Sequence, residues 1–230
     1  MRVLNFFTYD YPFEGNDQNF IEDEIKMLST LFDKINFISL IKKKKFKKNY
    51  IIKDNIHYDL SLSDHLFELK NIFKMSFRIA ICKYFWLEFL KMRKKNFLKK
   101  IKMIIKERIL AENSYLWILK NKNINLINDF FYSYWSNYTL LSFYLLKKEK
   151  KINYCFARSL GSDLNGFIPH DNFVAFINYK FKFLNFILVL NNGQSRRLKD
   201  EKLIDNEKII KCYQGIKVQD YEIKKKIQKK

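Results

Sequence analysis

The chain opens on an apolar run, RVLNFFTY (residues 2–9), that closes on polar residues, the pattern of a strand buried on both faces of a parallel sheet. A loop with Pro12, Gly15, Asn16 and Asp17 comes next. FIEDEIKMLSTLF then sets Phe20, Ile21, Ile25, Leu28, Leu31 and Phe32 at helical spacing, which predicts an amphipathic helix from about residue 19. INFISL (35–40) predicts a second strand, completing a β-loop-α-β unit. Residues 41–62 show no firm register, and from 63 to 121 the spacing turns helical, through Phe73, Phe77, Ile81 and Tyr84, then Leu98, Ile101, Ile105 and Ile109. Past residue 121 the alternation returns: INDFFYSYW as strand, SNYTLLSFYLLKKEK as helix, INYCFARSLGSDLNG as strand opening into a loop, HDNFVAFINYKF as helix, NFILVL as strand, NNGQSRRLKDE as a helix capped by Asn191 or Asn192, and EKIIKCYQGI as a last strand. The fold class this predicts is α/β: a Rossmann-like open, mostly parallel sheet with helices on both faces and an inserted basic helical segment. The expected domain spans residues 1–217 with the insert at about 63–121, and 218–230 form a basic tail.

Composition changes this picture in two places. A formal charge of +20 over 230 residues favours contact with something anionic, whether lipid headgroups, nucleic acid or phosphorylated sugars. Cys82, Cys155 and Cys212 are odd in number and form no CxxC pair, which speaks against a disulfide framework or a zinc site and for a reducing cytoplasm. The opening residues are broken too early by Asp10 and Pro12 for a signal peptide, and no run of 18 residues is free of charge, so no transmembrane helix is expected.

In open parallel sheets ligands sit beyond the carboxyl ends of the strands. Residues 8–18, 132–137, 158–165 and 190–193 all arrive there. FYSYWSNYTLL (131–141) mixes aromatic rings with Ser133, Ser136 and Asn137; Tyr134 and Trp135 either line a cleft on which sugar or base faces stack, or fill the space between sheet and helices. Gly15 either lets backbone amides approach an anion or makes a plain turn. Gly161 suits a turn with positive φ, and Asp163 then either faces the cleft or caps that turn. KKKKFKK (42–48) reads as a solvated charge run. His57, His65 and His170 lack metal-ligand spacing, so no metal is expected, and spacing alone defines no catalytic constellation.

Taken in order, these segments resemble the amino-terminal domain of retaining GT-B glycosyltransferases of family 4. FFTYDYPFEGNDQNFIEDEI is similar to that family's opening strand, YP, glycine loop and FIExEI helix; FYSYWSNYTLLSFYLLKK to its YSYW strand and helix; ARSLGSDLNG to its xRAHGYDLY segment; LNNGQSRRL to SENGxxYL; and KIIKCYQGI to KIxVxYLGV. The likeness covers about residues 1–217. It departs at Leu160 and Ser162, where the family has histidine and tyrosine, and at Leu190 and Asn191, where it has serine and glutamate. Leucine makes none of histidine's hydrogen bonds, so reduced or lost activity is implied.

The resemblance implies an acceptor-side half-enzyme that, when complete, moves a sugar from a nucleotide-sugar donor to a polysaccharide or lipid-linked acceptor in cell-surface glycan assembly. The donor-binding domain of such enzymes would begin where this sequence reaches YEIKKKIQKK, so inactivity alone, or pairing with a separate donor-domain chain, is expected. Acceptor-side positions carried by motif are Tyr11, Gly15, Asn16 and Gln18; Tyr134 and Trp135; Arg158, Gly161 and Asp163; and Asn192 and Gly193, with no catalytic residue and no cofactor assigned. The basic, aromatic-laced segment from about 72 to 110 either rests on the anionic inner face of the membrane, making the protein cytoplasmic and peripheral, or packs with its lysines as a solvated face. With no nucleic-acid reader motif, a nucleic-acid partner is not expected.

Overall fold

The computed structural model of the protein describes residues 1–14, 18–41, 53–66, 83–90, 96–165 and 173–212. The lysine run at 42–48, Gly15, Asn16 and the tail from 213 lie outside the described residues, as does the first stripe of the insert, through Phe73, Phe77 and Ile81.

Seven strands form one parallel sheet in the order β3-β2-β1-β4-β5-β6-β7. They are β1 (Val3–Thr8), β2 (Lys34–Ser39), β3 (Ile56–Asp59), β4 (Phe130–Ser133), β5 (Tyr154–Ser159), β6 (Phe186–Val189) and β7 (Ile209–Lys211). The order runs outward one way from β1 to β3, then restarts on the other side of β1 with β4, so a topological switch point lies between β1 and β4. The sheet, with its helices, is an α/β Rossmann-like open sheet.

Helices lie on both faces. α1 (Gln18–Leu31) sets Ile21, Ile25 and Leu28 against Leu4, Phe6, Phe37, Tyr132 and Phe156 on one face. On the other, α4 (Phe97–Lys120), α5 (Tyr138–Lys148) and α8 (Asn192–Asp200) pack Leu110, Trp117, Ile118, Leu140, Phe143 and Leu198 on Phe7, Ile38, Phe131, Ala157, Ile187 and Val189. Between them come α2 (Ser61–His65), α3 (Lys83–Leu90), α6 (Ser162–Asn165) and α7 (Ile177–Lys180).

The α1 face carries a row of rings. Register pairs Phe6 with Phe37 and Phe37 with Tyr58, and in the other direction Phe6 with Tyr132, Tyr132 with Phe156 and Phe156 with Phe186. Ring centroids along it lie 5.4, 4.9, 4.5, 4.6 and 4.6 Å apart from Tyr58 to Phe186. One aromatic residue from each of six neighbouring strands therefore stands side by side, at spacings set by the distance between paired strands.

Three expectations are corrected. Of the helix expected over the HDNFVAFINYKF stretch, the described residues from 173 form only the short α7. Phe176 takes a left-handed conformation (φ 58°) while its N–H donates to Glu88 Oε1 at 2.9 Å and its ring enters a satellite core with Phe85 and Tyr144. β3 lies in the stretch without register: an edge strand of four residues, IHYD, with only Ile56 buried, has too little alternation to be seen. β4 stops at Ser133, and residues 134–137 bend away before α5.

The ring row makes a prediction. Phe6→Ala, at the centre of the row and fully buried, is expected to lower unfolding free energy by about 3–5 kcal/mol in denaturant titration. Ile210→Ala on edge strand β7, with Ile210 45% exposed, is expected to change it by less than about 1 kcal/mol.

Candidate functional site

The loops after β1, β4, β5 and β6 meet beyond the carboxyl ends of the strands. After β1 the chain turns at once: Thr8 Oγ1 donates to the Tyr11 carbonyl at 2.9 Å, and the Phe13 N–H donates to the Asp10 carbonyl at 2.8 Å. The Tyr134 N–H continues the β1 ladder by donating to the Phe7 carbonyl at 2.9 Å, which brings the β4 loop alongside.

Asp163 ties the β4 and β5 loops together. Its carboxylate accepts from the Ser136 N–H (2.8 Å), the Ser159 hydroxyl (3.0 Å) and the Leu160 and Gly161 N–H groups (3.0 Å each). It is a turn cap and inter-loop clasp, so of the two readings open from the sequence the capping one holds. Gly161 has φ +113°, which favours glycine, and a Cβ there would lie 3.3 Å from Gln194 Nε2. Gln194 itself is buried; its Oε1 accepts from the Leu190 N–H at 2.7 Å, and its own N–H donates to the N-cap Asn191 Oδ1 at 2.9 Å. Three loops are thus held by side chains bonded to backbone.

Motif positions expected to line the cleft divide by burial. Tyr11 and Tyr134 are 0% exposed and belong to the α1-side core, Tyr134 with its ring centroid 5.9 Å from that of Phe6. For Tyr134 the space-filling reading of the two left open holds, and Tyr11, expected at the acceptor side by motif, is corrected: the chain turns inward at both points to fill space beneath α1. Trp135 and Leu160 are half-buried against the same core, and Asn192 and Gly193 are exposed at the start of α8. Gln18 opens α1, though its side chain is outside the description. The face open to a ligand is therefore made by Trp135, Leu160, Gly161, Asn192 and Gly193, together with Tyr9 at 41% exposure.

Arg158 is also corrected. On β5 it shares a face with Phe156 and so points beneath α1, only 4% exposed. Its Nη2 pairs with Glu24 Oε2 at 2.9 Å, its Nε donates to the Tyr132 hydroxyl at 3.3 Å and its Nη1 to the Cys212 carbonyl at 3.4 Å, while the Tyr132 hydroxyl also bonds Glu24. This buried triad pins α1 to β4, β5 and the end of β7. Burial raises the Glu24 carboxyl above its ordinary value, against the pull of Arg158 and the Tyr132 hydroxyl. Burial pushes the Tyr132 hydroxyl well up, and the Glu24 carboxylate adds to it. Desolvation would lower Arg158, but Tyr132 and Glu24 outweigh it and its pKa stands above the usual arginine value.

Glu24 was missed in the sequence, although the signal is there: it falls on the apolar stripe between Ile21 and Leu28, where an acid costs free energy unless paired. A second missed group is Tyr138 at the start of α5, whose hydroxyl is raised by burial, then by Tyr9 and Glu107, placing the insert's Glu107 near this end of the sheet. Glu107 is paired with the buried Lys180.

Comparison of the sequence with family models and with curated proteins returns no match.

The triad predicts a pH signature. Arg158→Met leaves Glu24 buried without its cation and is expected to cost about 3–5 kcal/mol at pH 7. Removing the cation lifts the folded Glu24 pKa further above its unfolded value. Stability of the variant is then lost as pH rises through that folded pKa, and regained as pH falls towards the unfolded one. The gap between wild type and variant, measured by denaturant unfolding, is expected to narrow as pH falls from the folded Glu24 pKa towards the ordinary carboxylate range.

Proposed function

We propose that the protein is the acceptor-side half of a glycosyltransferase, serving transfer of a sugar from a nucleotide-sugar donor to a polysaccharide or lipid-linked acceptor in cell-surface glycan assembly. The observation that carries the reading is the all-parallel sheet with its order reversing between β1 and β4, whose carboxyl-end loops are the very segments with family-like motifs: TYDYPFEG, YSYW, ARSLGSDLNG and NNGQ. A half-buried Trp135 after β4, with Asn192 and Gly193 exposed after β6, suits a sugar face with hydroxyls at its edge. Leu160 lies half-buried on the core where the family has histidine, which favours a chain with no catalytic group of its own on this side.

The insert supplies the surface for an anionic membrane. Trp86, Leu90, Leu98 and Ile105 on α3 and α4 are 50%, 77%, 80% and 39% exposed, and Lys99, Lys102 and Lys106 stand exposed among them. Apolar side chains with interspersed lysines are what peripheral attachment to anionic lipid requires. Among the described residues no helix is long and apolar enough to cross a membrane.

Two experiments test this. The protein, isolated from its own cells with whatever chains accompany it, is supplied with radiolabelled nucleotide sugars and membranes from the same cells. Label is expected in a lipid-linked or polysaccharide fraction, falling about tenfold when Trp135→Ala removes the ring at the acceptor face; no label with any nucleotide sugar would overturn the reading. In a flotation assay the protein is expected to bind vesicles containing about a third phosphatidylglycerol and not pure phosphatidylcholine, with Leu98→Glu and Lys102→Glu together abolishing binding. Equal binding to both vesicle types would remove the anionic membrane from the picture.

A further inference from the structure

A second cavity lies away from the crevice. It holds about 880 Å³ on the α4 face of β1, β2 and β3, towards the amino-terminal ends of β1 and β2 and bounded by α2 and the last turn of α4, a size within the usual range for ligand pockets.

Its floor is a directed hydrogen-bond relay. Register sets His57, Asn36 and Asn5 side by side on β3, β2 and β1, and Asn5 and Asn36 are 0% and 6% exposed. The Asp129 carboxylate accepts from the Asn125 N–H at 2.9 Å and from Asn5 Nδ2 at 3.0 Å. A carboxylate only accepts, so the Asn5 amide is fixed with its oxygen towards Asn36, which donates to it from Nδ2 at 2.8 Å. The relay ends on Asn36 Oδ1, an acceptor that the donors named here leave open to the cavity, where a donor on an occupant can reach it.

The walls and rim narrow the choice. Ile38, Trp117 and Ile124 supply apolar surface; the Trp117 indole is held by donating to Ser61 Oγ at 3.0 Å. The carboxylate at the rim, Asp59, is already engaged by the Ser61 N–H at 3.0 Å and by Asn121 Nδ2 at 3.0 Å. Lys34 and Lys120 are among the lining residues and, against the single carboxylate of Asp59, give the cavity a positive balance. A ligand with hydroxyl donors below, an apolar ring face at the side and a negative group above is a small polyhydroxylated anion.

We propose that this cavity is a binding site for a monosaccharide phosphate or an anion of the same build, with a hydroxyl on Asn36 Oδ1 and the anionic group between Lys34 and Lys120. The site is separate from the crevice and does not rest on the glycosyltransferase reading.

The test is titration of the full chain with glucose 6-phosphate, glucose and inorganic phosphate, monitored by calorimetry and by Trp fluorescence. Glucose 6-phosphate is expected to saturate, with glucose and inorganic phosphate each binding at least about tenfold more weakly. Lys34→Gln with Lys120→Gln, both changes in the cavity lining, is expected to weaken glucose 6-phosphate about tenfold and leave glucose unchanged. Asn36→Ala is expected to weaken both sugars, and the lysine variant keeps the test decisive if that buried change disturbs folding. The proposal is overturned by absence of saturation below about 10 mM, by inorganic phosphate binding as tightly as glucose 6-phosphate, or by the lysine variant binding as wild type does.

Discussion

The register of the ring row on the α1 face governs both the core beneath that helix and the crevice at the end of the sheet. Six rings can stand side by side only if β1, β2, β3, β4, β5 and β6 keep one alignment, since a slip by one residue sends a strand's rings to the opposite face. Tyr132 carries a polar atom within the row, and its hydroxyl reaches the Glu24 and Arg158 pair just past it. The same alignment therefore fixes the hydrophobic face and the buried charge cluster that fastens α1, β5 and the end of β7 to it. A buried pair of this kind contributes little net stability against an apolar substitute, but it penalises any arrangement in which one partner is left alone. Its value here is in orientation: α1 has one rotation and one height at which Glu24 meets both groups.

That placement sets the crevice. With α1 and β4 fixed, the loops after β4, β5 and β6 are joined by bonds from side chain to backbone rather than by apolar packing: Asp163 to three N–H groups, Ser136 Oγ to the Arg158 carbonyl, Gln194 to the Leu190 N–H. Side chains that remain outward, Trp135 among them, are then the ones that can face a ligand. Asp163 is committed to holding the rim, and Arg158 to the buried cluster beneath α1.

Sequence pattern made the parallel sheet legible because its central strands are largely apolar on both sides, and the helix after β6 was legible with its Asn cap, whereas Asn137, read as a polar group of the cleft, turns out to cap the helix after β4. β3 was hidden by its brevity and exposure, and the late start of α7 inside the expected helix by a contact of Phe176 with Glu88 that is remote in sequence. At the site, the loops were placed at the right end of the sheet, but the depth of each side chain was not readable: Tyr134 and Trp135 are neighbours, one fully buried and one half-buried, and only the bend after Ser133 separates their fates. The Asn5, Asn36 and His57 row escaped notice because nothing along the chain links positions 31 and 21 apart; only strand register does.

Charge is similarly misread from composition alone. The net +20 suggests an evenly basic surface, yet Lys100, Arg108, Arg158 and Lys180 are each no more than 4% exposed, the last three facing Glu112, Glu24 and Glu107. α4 shows how the remainder is arranged. In its first half the buried positions Lys100, Ile104 and Arg108 recur every four residues, one face only, and Leu98, Ile105 and the lysines at 99, 102 and 106 look outward. From Leu110 to Ile118 nearly every residue is buried, and the helix becomes part of the core. One helix thus changes from surface to interior along its length. The cost of exposing Leu98 and Ile105 is offset where the helix is held firmly at its other end, which is how this sheet can present an apolar, basic edge without giving up its fold.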